Sequence, residues 1–179
     1  MAVKVWLGIG KVAVIAALFG VCFAMWARAM GIRSPWLGLF SMFYFMGTAK
    51  SAEPLVMFRM PPALRAVDPS FARQDWQNHW GIRSFGTLLR KTPLRYLNSS
   101  VYLPSREQSF SELSRKIESA EAIHFWAALL FTPYIVYILS RDLFAVAALF
   151  VLIQVVFNVY PILHLRFVRA RLSRLQGRR

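Results

Sequence analysis

The chain has 179 residues, of which 57% are hydrophobic and 15% aromatic, yet it carries 22 Lys and Arg against 8 Asp and Glu. That apolar content excludes a disordered basic tail and exceeds what a soluble globular domain carries, so the formal net charge of +14 suits an anionic membrane surface. A single cysteine, Cys22, excludes a disulfide framework, a cysteine zinc site and an iron–sulfur cluster.

Residues 5–27 carry one charge, Lys11, between Trp6 and Trp26. The two indoles are set about 30 Å apart along a helix, the spacing of two interfacial aromatic belts, and Lys11 is close enough to the first belt to snorkel out. A signal peptide is the rival reading, with Lys4 as its charged region and Ala27-Arg28-Ala29 as its cleavage site. The apolar run exceeds the ordinary signal length of about 7–15 residues, so a retained span is expected. Residues 35–50 are short for a span and are read as a second crossing that ends near Lys50, with a re-entrant loop as the alternative. Residues 123–139 and 143–165 form two strong apolar runs separated by Ser140, Arg141 and Asp142, which reads as a helical hairpin.

Between the second and third runs, residues 51–122 are no linker. Phe71, Trp76, Trp80, Phe85, Tyr96 and Tyr102 interleave with Arg73, Arg83, Arg90, Lys91 and Arg95, and six prolines cut the segment into short pieces. Short interfacial helices are expected near 70–80 and 82–91, with aromatics toward the bilayer and cations toward lipid phosphates. A further helix should begin near Phe110, capped by Ser109 or Ser111, and run through Glu118, Glu121 and His124 into the third span. The stretch 50–122 holds 11 Lys/Arg and the basic tail 166–179 holds six arginines. The expected fold class is therefore all-α: one integral membrane helical bundle of about four transmembrane helices. It would be multi-pass in the cell membrane, with both termini and the middle segment cytoplasmic.

Two constellations carry candidate chemistry. Glu118, Glu121 and His124 recur every three residues on one helix face where that helix enters the membrane. Glu121 can accept a hydrogen bond from one His124 ring nitrogen, which leaves the other to take a proton from a substrate hydroxyl. The structural alternative pairs Glu121 with Arg115 or Lys116. A Glu-x-x-His pair also occurs in carboxylate metal sites, but here it occurs once and acids are scarce, so no metal and no bound cofactor are expected. Near the end of the fourth run, Asn158 and Tyr160 need hydrogen-bond partners and should face the bundle. Pro161 frees a backbone carbonyl just before it, and Arg166 and Arg169 follow on one face as a clamp for a phosphate, such as that of coenzyme A or a lipid. The bland alternative makes these arginines an orientation anchor. No P-loop, Gly-x-Ser-x-Gly or zincin motif occurs, and no His is followed five residues later by Asp.

Three motifs stand in order: Gly81-Ile82-Arg83 with Phe85, Ala120-Glu121-Ala-Ile-His124, and Asn158-Val-Tyr160-Pro161 ending in Arg166-Phe167-Val168-Arg169-Ala-Arg171-Leu172. On these, the stretch from Trp80 to Leu172 resembles the small membrane acyltransferases typified by glycosyl-4,4'-diaponeurosporenoate acyltransferase, which completes staphyloxanthin-type carotenoids. The resemblance implies esterification of a hydroxyl on a membrane-embedded isoprenoid, carotenoid glycoside or glycolipid, with a donor such as acyl-CoA. His124 would be the general base, Glu121 its orienter and Asn158 an oxyanion donor. Arg166 with Arg169 would clamp the donor phosphate, and Tyr160 and Arg83 would contact substrate. The chain departs from the family pattern at Leu165, where Gln is usual, and at Val168, where Asn is usual. A reading from another class is a non-catalytic subunit that scaffolds a membrane protein complex through the aromatic surface around Trp76 and Trp80. Membrane lipids and a lipid-like acyl acceptor are the expected partners. Interspersed acids and prolines argue against nucleic acid.

Overall fold

The computed structural model describes residues 2–31, 33–52, 58–73, 80–92 and 109–176, and among them the secondary structure is helical, without strands. In chain order these are α1 (Ala2–Met30), α2 (Pro35–Ala52), α3 (Pro62–Arg65), a 3-10 turn (Pro69–Arg73), α4 (Ile82–Lys91), α5 (Phe110–Leu139), α6 (Phe144–Gln154), a π turn (Val155–Val159) and α7 (Tyr160–Gln176). The chain divides into two compact units, one of residues 1–57 with 126–155 and the other of residues 58–125 with 156–179.

In the first unit α1 ends at Gly31, whose φ of +81° is open to glycine without strain, and its N–H closes on the Ala27 carbonyl at 3.0 Å. Trp26 then packs edge-on against Tyr44 of α2. Phe150 of α6 is fully buried, with Phe131 and Tyr134 of α5 on one side at centroid distances of 5.6 and 5.7 Å. On the other side is Gly38 of α2, where an added Cβ would lie 2.4 Å from Phe150 Cζ. Gln154 is buried near the end of α6, and its Nε2 donates to the Ala128 carbonyl of α5 at 2.9 Å. In the hairpin between α5 and α6, Asp142 takes a left-handed φ of +59°, and the Leu143 N–H reaches back to the Ile138 carbonyl. That is the helix-terminating pattern glycine usually serves, here taken by one of the few other residue types that tolerate it.

Among the described residues, two helices are long and apolar enough to cross a membrane: α5, and the continuous run Phe144–Gln176. Their outward positions include Leu129, Leu130, Val136, Phe144, Val151 and Leu152, all exposed. An apolar exterior of this kind is at home in hydrocarbon and costly in water. Of the four crossings expected from the sequence, these two meet the length and hydropathy of a span.

The second unit is built around α7. On one side Leu165 and Leu172 pack with Ile117 and Ala120 of α5, and on the other Phe167 and Ala170 pack with Ala72 and Ile82. The basic tail is thus, as far as Gln176, a packed helix whose apolar residues alternate with its arginines. Leu165 and Val168, which replace polar residues of the resembled pattern, fall in these apolar clusters. The α5 start agrees with the sequence expectation: the Glu112 N–H donates to Ser109 Oγ at 3.2 Å, and Glu112 pairs with Lys116. Helix α4 also forms where expected, but with its aromatic side turned inward. Phe85 lies 5.5 Å from the Tyr160 ring and edge-on to His164 at 6.2 Å, because Ile82, Phe85, Gly86 and Leu89 share the face that α7 covers. The helix expected near 70–80 is a 3-10 turn over Pro69–Arg73, and residues 74–79, with Trp76, lie outside the described residues.

Because Phe150 is held between Gly38 and the rings of Phe131 and Tyr134, Gly38→Ala should destabilise the first unit by about 1–3 kcal/mol, the usual cost of overpacking a filled core. Thermal unfolding in detergent should show a lowered Tm, whereas Gly47→Ala, with open space around its Cα, should leave it nearly unchanged.

Candidate functional site

Glu121 has no solvent exposure. An ionised carboxylate in that position loses its hydration and must be repaid by direct partners. Two guanidinium groups from α7 supply them: Arg166 Nε donates to Oε1 at 2.5 Å, and Arg169 Nη1 donates to Oε2 at 2.6 Å. The two arginines are one turn apart on α7, so both reach the same carboxylate. Each also donates to the backbone beyond it, Arg166 Nη2 to the Leu64 carbonyl and Arg169 Nη2 to the Arg65 carbonyl, the latter at 2.7 Å. Arg65 in turn pairs through Nε with Glu118 at 3.0 Å. One network therefore ties α5, α7 and the end of α3 together.

This geometry revises the expected pairings. Arg166 and Arg169 form a clamp, but the anion they hold is the chain's own Glu121. Neither Arg115 nor Lys116 takes the surface-type pairing with Glu121, since Lys116 bonds Glu112 instead. The reason is positional: Glu121 points into the α5–α7 contact, where Arg166 and Arg169 of α7 reach it, whereas Arg115 is exposed. His124 is one turn further along α5 and partly buried.

The remaining candidates come from the π turn and its surroundings. Pro161 has no N–H to return to the Phe157 carbonyl, and the helix just before it widens into the π turn Val155–Val159. Asn158 sits in that turn with no exposure. Tyr160 follows and donates its hydroxyl to the Trp80 carbonyl at 3.0 Å. Arg83 of α4 is not on Glu121; its guanidinium lies over the Phe167 ring, 5.6 Å from the centroid. Among the described residues, no three His, Cys, Asp or Glu side chains gather in a metal-holding group.

Three participants were not singled out from the sequence. Arg65 sits in a Pro-rich stretch with no periodic signal. His164 is buried on α7, and Gly86 of α4 accommodates it: a Cβ added there would lie 2.1 Å from His164 Cε1. A glycine inside an amphipathic helix is the one sequence sign of such a close approach.

Compared with known protein families, residues 70–178, more than half of the chain, match the family described as glycosyl-4,4'-diaponeurosporenoate acyltransferase. No curated protein and no solved structure matches. The matched region holds α4, α5, α7, Glu121 and both of its arginines.

Burial separates the two carboxylates of the network. Glu121→Ala leaves two guanidinium groups facing a void and should cost about 3–5 kcal/mol, as removing one partner of a buried pair does. Glu118→Ala breaks a pair that is 20% and 41% exposed on its two sides and should cost about 0–1 kcal/mol. Denaturant midpoints of the two variants, measured in the same detergent, should rank in that order.

Proposed function

Because the chain belongs to the glycosyl-4,4'-diaponeurosporenoate acyltransferase family, we propose that it is a membrane acyltransferase of carotenoid biosynthesis that esterifies a hydroxyl of a membrane-embedded isoprenoid, carotenoid glycoside or glycolipid. The observation that carries this reading is the family match over residues 70–178, which contains the polar cluster built on Glu121. The exposed apolar positions of α5 and of the Phe144–Gln176 run support a membrane setting. In the full form of the proposal, α1 and α2 add two further crossings and both termini are cytoplasmic.

In this mechanism His124 is the general base. It takes the proton of the acceptor hydroxyl as that oxygen attacks the carbonyl carbon of the acyl donor. A hydrogen-bond donor is then needed for the oxyanion, and the Asn158 amide serves. Collapse of the tetrahedral species breaks the bond to the donor's leaving group, a thiolate if the donor is an acyl-CoA, and the imidazolium returns the proton to it. Glu121 acts at one remove: it is a positioning residue that fixes Arg166 and Arg169 and, through them, the face of α7. Tyr160 and Arg83 are assigned as substrate contacts in this proposal.

One observation favours the non-catalytic reading. The arginines expected to clamp a donor phosphate are already engaged by Glu121, so the network also serves a chain whose task is to scaffold a membrane complex. Mass-spectrometric profiling of lipids and pigments separates the two. At matched expression, His124→Ala should lower formation of one acylated species by about 10²–10⁴-fold, the usual contribution of a general base, with its unacylated precursor accumulating. A deletion strain with an altered profile that His124→Ala restores in full would overturn the catalytic assignment and favour the scaffold.

A further inference from the structure

Among the described residues of the second unit, the acids are engaged before the cations are. Glu112 holds Lys116, Glu118 holds Arg65, Glu121 holds Arg166 and Arg169, and Asp68 accepts the Ser70 N–H at 2.7 Å. Among the described residues, no carboxylate pairs with Arg83, Arg90, Lys91 or Arg171. Two of these cations are brought together on one ring. Arg83 of α4 and Arg171 of α7 lie 5.6 and 5.7 Å from the centroid of Phe167, which is itself buried. Gathering like charges costs free energy unless an anion shares the site, and the ring offsets only part of that cost.

The rest of the surface has a matching chemistry. With Ile82, Phe85, Gly86 and Leu89 turned toward α7, the outward side of α4 carries Arg83, Ser84, Thr87, Leu88, Arg90 and Lys91, all exposed. At the start of the helix Trp80 is 67% exposed, although its carbonyl is held by Tyr160. An amphipathic indole beside cations, with Leu88 exposed on the same outward side, is the composition of a surface that rests at the headgroup level of a bilayer.

We propose that this face, with Arg83 and Arg171 gathered on Phe167, Arg90 and Lys91 along α4 and Trp80 at its start, docks on the phosphate headgroups of an anionic lipid bilayer. Nucleic acid fits less well. A single strand stacks successive bases on several exposed aromatic faces, whereas among the described residues of this face Trp80 is exposed and Phe167 and Phe85 are turned into the protein. A soluble phosphorylated ligand would require a closed pocket, whereas these cations are spread along an open helix face. The docking requires neither acyl transfer nor His124.

The test uses the full chain in nanodiscs, with Cys22→Ser and Leu88→Cys carrying an environment-sensitive fluorophore. In discs containing about one-third phosphatidylglycerol, the probe should show a blue-shifted, brighter emission than in pure phosphatidylcholine, and about 1 M salt should reverse the shift by cutting the Debye length to about 3 Å. Each of Arg83→Gln and Arg171→Gln should lower the anionic-lipid preference about fivefold. Emission equal in both lipids, or a lipid response unchanged in the Arg83→Gln/Arg171→Gln double variant, overturns the proposal. So does a stronger response to inorganic pyrophosphate or to RNA than to the anionic bilayer. The readout is independent of turnover: an unsubstituted chain that acylates but shows no lipid response refutes the docking alone, and one that shows the lipid response without acylation refutes the acyltransferase reading alone.

Discussion

A carboxylate removed from water loses several kcal/mol of hydration and recovers it only from partners that are themselves correctly placed. Glu121 imposes that condition on the second unit. Its two oxygens require two donors, and both come from α7, one turn apart. Once Arg166 and Arg169 face α5, the register of α7 is set. Leu165 and Leu172 must then meet Ile117 and Ala120, and Phe167 and Ala170 must meet Ala72 and Ile82. The guanidinium groups have donors to spare, and those reach the Leu64 and Arg65 carbonyls and hold the end of α3 in place. An apolar pair at the same positions would pack as well but would not specify this register, since hydrophobic contact is non-directional and a forked guanidinium is not.

Much of the fold was legible because periodicity and capping are local. Ser109 and Glu112 marked the start of α5, and the apolar run beyond His124 carried it on into the membrane-length helix. The α4 range followed from the prolines that cut the middle segment and from the aromatics interleaved with cations along it. What could not be read was which way the amphipathic elements faced. Phe85 beside Arg83 looks like an interfacial helix turned to lipid, and the same spacing equally suits a helix packed on protein. The decision lay with α7, some eighty residues away, and with Gly86, which lets the His164 ring come close.

The candidate site was legible as a set of residues and less so as a set of partners. Glu121, His124, Asn158, Tyr160, Arg166 and Arg169 were named from their types and spacing, whereas the i, i+3 rule led toward partners on the same helix. Same-helix pairing works on a solvated face, as Lys116 and Glu112 show. In a helix–helix contact the nearest charge belongs to the other helix. Leu165 and Val168 make the same point in reverse. From the sequence they are two polar groups lost beside a reacting face; in the structure they fill apolar clusters that a Gln or Asn would have to leave or satisfy.

Charge arithmetic then connects the buried network to the outer surface. Acids are few in this chain, and burying Glu121 between two arginines uses cations that would otherwise face outward. Even so, among the described residues the cations of α4 and of the outward side of α7 are left without a carboxylate partner. Arg83 and Arg171 illustrate the consequence, since both settle on the aromatic face of Phe167 in place of a carboxylate. A cation over a ring keeps most of its hydration and its long-range field. An inward face organised by one buried anion and an outward face left open to external anions are thus two results of the same scarcity, and they place a polar cluster and an anion-seeking surface on a single helix.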